Sequence, residues 1–151
     1  MLVPRLKEFL DANGVKYLSI PHRQAYTAME VAESSHVRGQ EMAKTVIVDV
    51  DGQLAMAVLP ATRHVNVEHL RRSMGAQHVG IAKEGEFRFD FPDCEVGAMP
   101  PFGNLFNMDV LVDPKLAEDE EIAFNAGTHT EVLKMAYRDF ERLVHPKSVV
   151  M

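Results

Sequence analysis

The sequence predicts an α/β fold of the mixed α+β kind, in which a mixed β-sheet carries flanking helices. Three observations lead there. A valine-rich run at 43–50 is followed by Asp51-Gly52, a strong hairpin signal, and by a second apolar run. Apolar residues recur at helical spacing at both ends, as Leu2, Leu6, Phe9 and Leu10 and as Tyr137, Phe140, Leu143 and Val144. Between them strands and helices mix without a strict βαβ alternation, which favours a mixed sheet.

The elements follow in order. Residues 2–13 form a helix that tolerates Pro4 in its first turn and ends at Gly14. A short strand at 16–20 stops at Pro21. Thr27-Ala28-Met29-Glu30 is a capping-box pattern and opens a helix over 28–35. The hairpin strands are 43–50 and 54–59. Asn66 caps a third helix that presents Val67, Leu70 and Met74 inward and ends at Gly75. A strand at 78–82 and one or two helical turns at 83–89 follow. Further strands are expected at 108–112, 121–125 and 129–135, and the final helix precedes Pro146.

The 151 residues fit one domain, 1–151, with its own core. No stretch approaches the ~20 apolar residues that span a bilayer, so no membrane partner is expected. The single cysteine, Cys94, excludes an internal disulfide and fits a reducing, cytoplasmic setting. A formal net charge of −6 excludes wholesale wrapping of nucleic acid and argues against duplex DNA as a partner. A local basic site touching one or two phosphates remains open. The acidic run Glu118-Asp119-Glu120-Glu121 reads as a solvated turn.

Familiar catalytic patterns are missing. There is no phosphate-binding GxxxxGK[ST] loop, no GxGxxG and no GxSxG elbow. One cysteine cannot build a cysteine zinc site, and the seven histidines lack ligand spacing. No metal and no cofactor is expected. What remains is the segment Gly97-Ala98-Met99-Pro100-Pro101-Phe102-Gly103. Its glycines allow close ligand approach and its two prolines stiffen the path. Amides at Gly97, Ala98 and Met99 could then hold a carbonyl in fixed geometry.

Three other positions stand out, each with a plainer reading beside it. Lys44 opens an apolar strand, as a surface lysine or as an anchor for phosphate or ribose. Gly127-Thr128-His129-Thr130 is a tight turn, or a place where His129 donates to a ligand or moves a proton. Tyr26 and Thr27 precede a helix, where Thr27 serves at least as a cap. Cys94 is flanked by Asp93 and Glu95, which would raise its pKa.

In this order the motifs resemble the YbaK/prolyl-tRNA synthetase editing-domain family, the free-standing aminoacyl-tRNA deacylases. The marks are Ala43-Lys44-Thr45-Val46-Ile47-Val48 with the Asp51-Gly52 hairpin, then 97–103, Val112-Asp113, 124–131 and Tyr137-Arg138-Asp139-Phe140. The family's GxxxP loop falls on Gly97 to Pro101 and its strand lysine on Lys44. The resemblance implies a curved mixed sheet, nearly barrel-like, with helices around it. It also implies hydrolysis of the ester between a wrongly attached small amino acid and the terminal adenosine of a tRNA. The partners are then the aminoacyl-tRNA acceptor end and, as a further option, an aminoacyl-tRNA synthetase. Lys44 would contact the terminal phosphate or ribose, and the Gly97, Ala98 and Met99 amides would hold the ester carbonyl. Pro101 would fix the loop, and His129 would line the pocket or orient water. Tyr26, Thr27, Pro100, Phe102, Gly103, Gly127 and Thr128 would complete the substrate site, with Met99, Phe102 and Tyr26 as walls. The loop's Met99-Pro100 departs from better-known members, so the amino acid edited does not transfer. Two other functions stay open: a noncatalytic module that binds a tRNA end or a synthetase, and a small-molecule amino acid esterase.

Overall fold

A computed structural model describes residues 3–151. Five helices and eight strands follow in the order α1 (Pro4–Ala12), β1 (Tyr17–Pro21), α2 (Ala28–Ser34), β2 (Ala43–Val50), β3 (Gln53–Pro60), α3 (Val67–Met74), β4 (Val79–Ile81), α4 (Glu84–Phe87), β5 (Asp109–Val112), β6 (Glu121–Asn125), β7 (Glu131–Ala136), α5 (Tyr137–Val144) and β8 (Lys147–Ser148). The mixed α/β class is as expected. The strands divide into two sheets rather than closing a barrel. One has the order β1-β7-β6, all antiparallel; the other is β4-β2-β3-β5-β8, with β5 parallel to both β3 and β8. The sheets meet at an isolated bridge between Met42 and Ala123, where the Ala123 amide donates to the Glu41 carbonyl at 3.1 Å.

Local chemistry explains the elements. In the β2–β3 hairpin Asp51 and Gly52 have φ of 50° and 89°, the doubly positive turn that matches strand twist. Asp49 accepts from the Gly52 amide at 2.7 Å, and Asp51 accepts from the His78 amide at 2.8 Å, which docks β4 alongside. Val48 packs with Leu59, Leu70 and Val79 on the α3 side, whereas Ala43 and Ile47 pack into the main core. In α1, Leu6 and Leu10 are buried one turn apart and Gly14 follows at φ 64°. Leu2, expected on that face, lies outside the described residues.

Thr27 accepts from the Glu30 amide at 3.1 Å as a cap should. The other half of the expected box differs: the Thr27 hydroxyl donates to the Glu30 carboxylate at 2.9 Å. Asn66 accepts from the His69 amide at 2.9 Å, and Gly75 ends α3 at φ 65°. Replacing this cap, Asn66→Ala, is expected to cost ~1 kcal/mol. For a chain of this size that lowers the melting temperature by roughly 2–4 °C. Asn66→Gly should restore most of it, as thermal unfolding followed by circular dichroism would show.

Two expectations need adjusting. The strand expected at 129–135 begins at Glu131, because His129 and Thr130 still belong to the preceding turn. The two-residue strand β8, beyond Pro146, was not anticipated; it extends the larger sheet beside β5.

Candidate active site

The N-terminal half of β2 contributes Ala43, Lys44, Thr45 and Val46 to one wall of a cavity of about 170 Å³. The opposite wall comes from Asn125 at the end of β6, Ala28 at the start of α2, and Gly97 and Met99. The cavity therefore sits where the two sheets approach each other. Larger grooves lie elsewhere on the surface. One, of about 480 Å³, is lined by Glu118, Asp119, Glu120 and Glu121. Four consecutive carboxylates repel a phosphate-bearing ligand, so its size counts for less than its sign.

The Lys44 ammonium makes no hydrogen bond or ion pair to any other described residue. Partial burial pushes its ammonium pKa below the ordinary lysine value. A cation on a cavity wall without a carboxylate neighbour is poised for an external anion.

The 97–103 loop is held by its far end. Phe102 is fully buried, with ring centroids 6.1 Å from Phe9, 5.5 Å from Phe124 and 5.6 Å from Phe140. It is thus a core anchor and does not line the cavity, contrary to its expected role as a pocket wall. Gly103 starts a short 3₁₀ turn and is packed so closely that an added Cβ would sit 2.3 Å from the Met108 carbonyl oxygen. Pro100 and Pro101 are buried and outside the lining as well. These four residues support the loop from behind.

The amides at its near end differ in availability. Ala98 N–H donates to the Glu95 carbonyl at 3.0 Å, so this expected donor is already used. Among the described residues, Gly97 N–H faces only the Met99 thioether sulfur, at 3.2 Å. Sulfur is a weak acceptor, easily displaced by an oxygen. Met99 N–H has no partner among the described residues. Gly97, at φ 86°, and Met99 are therefore the two donors that can turn to a ligand.

His129 stands behind Gly97. Its Nε2–H donates to the Val96 carbonyl at 2.8 Å, and Nδ1 is buried without a partner among the described residues. A Cβ on Gly97 would sit 3.5 Å from His129 Cε1. Glu95, missed in the sequence, ties the two loops together: its carboxylate accepts from the His129 amide at 2.8 Å and its own amide donates to Gly127 at 2.8 Å. Gly127 N–H donates to the Ala98 carbonyl at 2.9 Å, and a Cβ there would overlap Val3 Cγ2 at 1.9 Å. Thr128 lies 3.3 Å from the Thr130 hydroxyl. Neither Gly127 nor Thr128 reaches the cavity. Tyr26 is 66 % exposed, with its ring centroid 5.1 Å from that of His129, and Thr27 is occupied as the α2 cap. Burial, with Asp93 adding to it, pushes the Cys94 thiol up to about 11, which keeps it protonated and unreactive at neutral pH.

Of the expected residues, the structure gathers Lys44, Gly97 and Met99 around one cavity and sets His129 directly behind. Asn125 joins them and was overlooked. It lies within the 124–131 motif, where it shows only as a polar residue closing the apolar strand 121–125, and was not picked as a site residue.

A mixed α/β fold thus brings one lysine side chain and two loop residues with available amides to the wall of one small cavity. The chain belongs to the aminoacyl-tRNA editing domain family, which matches it over residues 22–143. It is 27% identical over 150 residues to the multifunctional Ser/Thr-tRNA deacylase ProXp-y of Escherichia coli (strain K12), covering 96% of this chain and 89% of that protein. The fold is similar to the crystal structure of hypothetical protein APE2540, with a TM-score of 0.84 and 21% identity over 96% of this chain and 98% of the other. It is also similar to that of a proposed trans-editing enzyme for prolyl tRNA synthetase, with a TM-score of 0.82 and 16% identity over 99% and 96%.

Proposed function

We propose that this chain is a trans-editing hydrolase. It cleaves the ester between a small, wrongly attached amino acid and the terminal ribose of a tRNA, with residues 1–151 working as one domain. Membership of the editing family and the deacylase activity named for the E. coli relative support this reading. The observation that carries it is the Lys44 ammonium, unpaired among the described residues, on the same small cavity as two residues with available amides.

In the reaction, water oxygen bonds to the ester carbonyl carbon, the carbon–ribose oxygen bond breaks, and the ribose oxygen takes the proton. Lys44 holds the terminal phosphate or ribose. The Gly97 and Met99 amides receive the charge that builds on the carbonyl oxygen; one such donor is worth ~2.7–4 kcal/mol where it has been measured. His129 acts through the backbone. By donating to the Val96 carbonyl it polarises the Val96–Gly97 peptide, whose N–H is the Gly97 donor. An aminoacyl ester is already activated, so positioning and charge stabilisation suffice without a dedicated base.

The acceptor end of a charged tRNA is the partner, in the cytoplasm where such tRNA is found. A synthetase is the further partner class to test. The deciding experiment is release of labelled amino acid from a panel of mischarged tRNAs. Seryl, threonyl or alanyl release well above the protein-free rate is expected. Complexes from which intact ester is recovered would instead mark a binding module, and activity confined to simple amino acid esters would mark an esterase.

A further inference from the structure

Asn125 is 9% exposed and lines the cavity, and its buried side-chain oxygen finds no partner among the described residues. Buried acceptors of this kind are rare and point to a donor that arrives from outside. The fold sets this residue level with Lys44. Met42 and Ala123 form a parallel bridge, and Lys44 and Asn125 each stand two residues beyond it on their strands. Lys44 thus marks one wall, and Asn125 belongs to the opposite wall with Gly97 and Met99. Among the described residues no carboxylate lines the cavity.

We propose that Asn125 accepts a hydrogen bond from the substrate's α-amino group, so that the site selects esters with a free amino end and spares those whose nitrogen is absent or already acylated. This rests on the deacylase reading above. With the ester carbonyl held by the Gly97 and Met99 amides, the α-nitrogen lies only two bonds from the carbonyl carbon, on the Asn125 side of the cavity. The ribose is held on the Lys44 side. A carboxamide oxygen needs a donor, and every aminoacyl ester brings an N–H to this point whatever its side chain. The Lys44 ammonium disfavours a second cation nearby, so the amine binds in its neutral form, which still donates. An uncharged acceptor matches it, where a carboxylate would pair with Lys44 instead. A nitrogen that reaches a buried oxygen is itself buried. An acyl group on it would press on Ala43 and Met99, both buried in the same lining, and such overpacking is costly. A tRNA whose amino acid is already joined to a peptide therefore escapes hydrolysis.

The test uses one tRNA body carrying alanyl or seryl esters, their desamino counterparts propionyl and hydroxypropionyl, or the N-acetylated aminoacyl groups. Single-turnover hydrolysis by wild type, Asn125→Leu and Asn125→Ala is divided by the protein-free rate of the same ester, because the amino group itself activates an ester. Wild type should favour the free aminoacyl ester over both its desamino and its N-acetyl form. Either variant should lower the aminoacyl-to-desamino ratio roughly tenfold or more. An unchanged ratio, with both esters slowed alike or neither slowed, overturns the assignment while the deacylase reading stands. So does an N-acetyl ester cleaved as fast as the free one. No release of any aminoacyl ester by wild type overturns both. Thermal unfolding of each variant guards the comparison; should Asn125→Leu melt without cooperativity, the ratio measured with Asn125→Ala decides.

Discussion

Lys44→Ala is expected to slow hydrolysis of a mischarged tRNA by roughly 10- to 150-fold, the equivalent of the ~1.5–3 kcal/mol carried by a hydrogen bond to a charged group. No carboxylate shares this ammonium among the described residues, so its removal leaves no orphaned anion behind. The fall should therefore be in function, with little change in melting temperature. Binding should lose salt sensitivity too, since one phosphate contact to a single strand contributes a slope of about −0.7 in log K against log salt. The pH dependence has a definite sign. Burial lowers the Lys44 pKa, so the cation is lost on alkalinisation earlier than for an ordinary lysine. After subtraction of base-catalysed ester hydrolysis, kcat/KM of wild type should decline on its alkaline limb, and Lys44→Ala should lack that limb. Wild-type rates for the variant would remove Lys44 from the site.

Gly103→Ala is expected to be the most damaging single-methyl change in the loop. The new Cβ would fall 2.3 Å from the Met108 carbonyl oxygen and 2.7 Å from Val110 Cγ2. A backbone oxygen cannot swing aside as a long side chain can, so the 103–105 turn or β5 must shift. Overpacking of this kind costs ~1–3 kcal/mol and sometimes more. At this chain length that corresponds to a drop of roughly 2–12 °C in melting temperature. The displacement travels to Phe102 next door and loosens the aromatic anchor of the loop. Differential scanning calorimetry would measure it, and a variant as stable as wild type would refute the packing argument.

The sequence made the hairpin legible almost residue for residue, because Asp51-Gly52 demands a particular turn and fixes the register from Val50–Gln53 outward. The caps at Thr27 and Asn66 were equally visible, since each rests on a side chain and an amide three residues away. The division into two sheets was not visible, because the pairing of β1 with β7 depends on contacts more than a hundred residues apart. Lys44, Gly97 and Met99 could be found because charge, backbone freedom and loop stiffness are local properties. Phe102 was misplaced for the opposite reason: a phenylalanine beside a functional loop looks the same whether it faces a ligand or Phe9, Phe124 and Phe140. Ala98 fails as a donor because Glu95, three residues earlier, claims its amide, a pairing the expected motif gave no sign of. Asn125 went unnoticed because only burial distinguishes an orphaned carboxamide from a solvated one.

The Met42–Ala123 bridge joins the sheet that carries Lys44 to the sheet that carries Asn125. The width of the cavity is thus a distance across a seam rather than the bore of a rigid tube. On the proposed deacylase reading, a substitution that slackens this suture is expected to widen the gap, and the consequence to look for is misjudged cargo: release of correctly charged, bulkier esters.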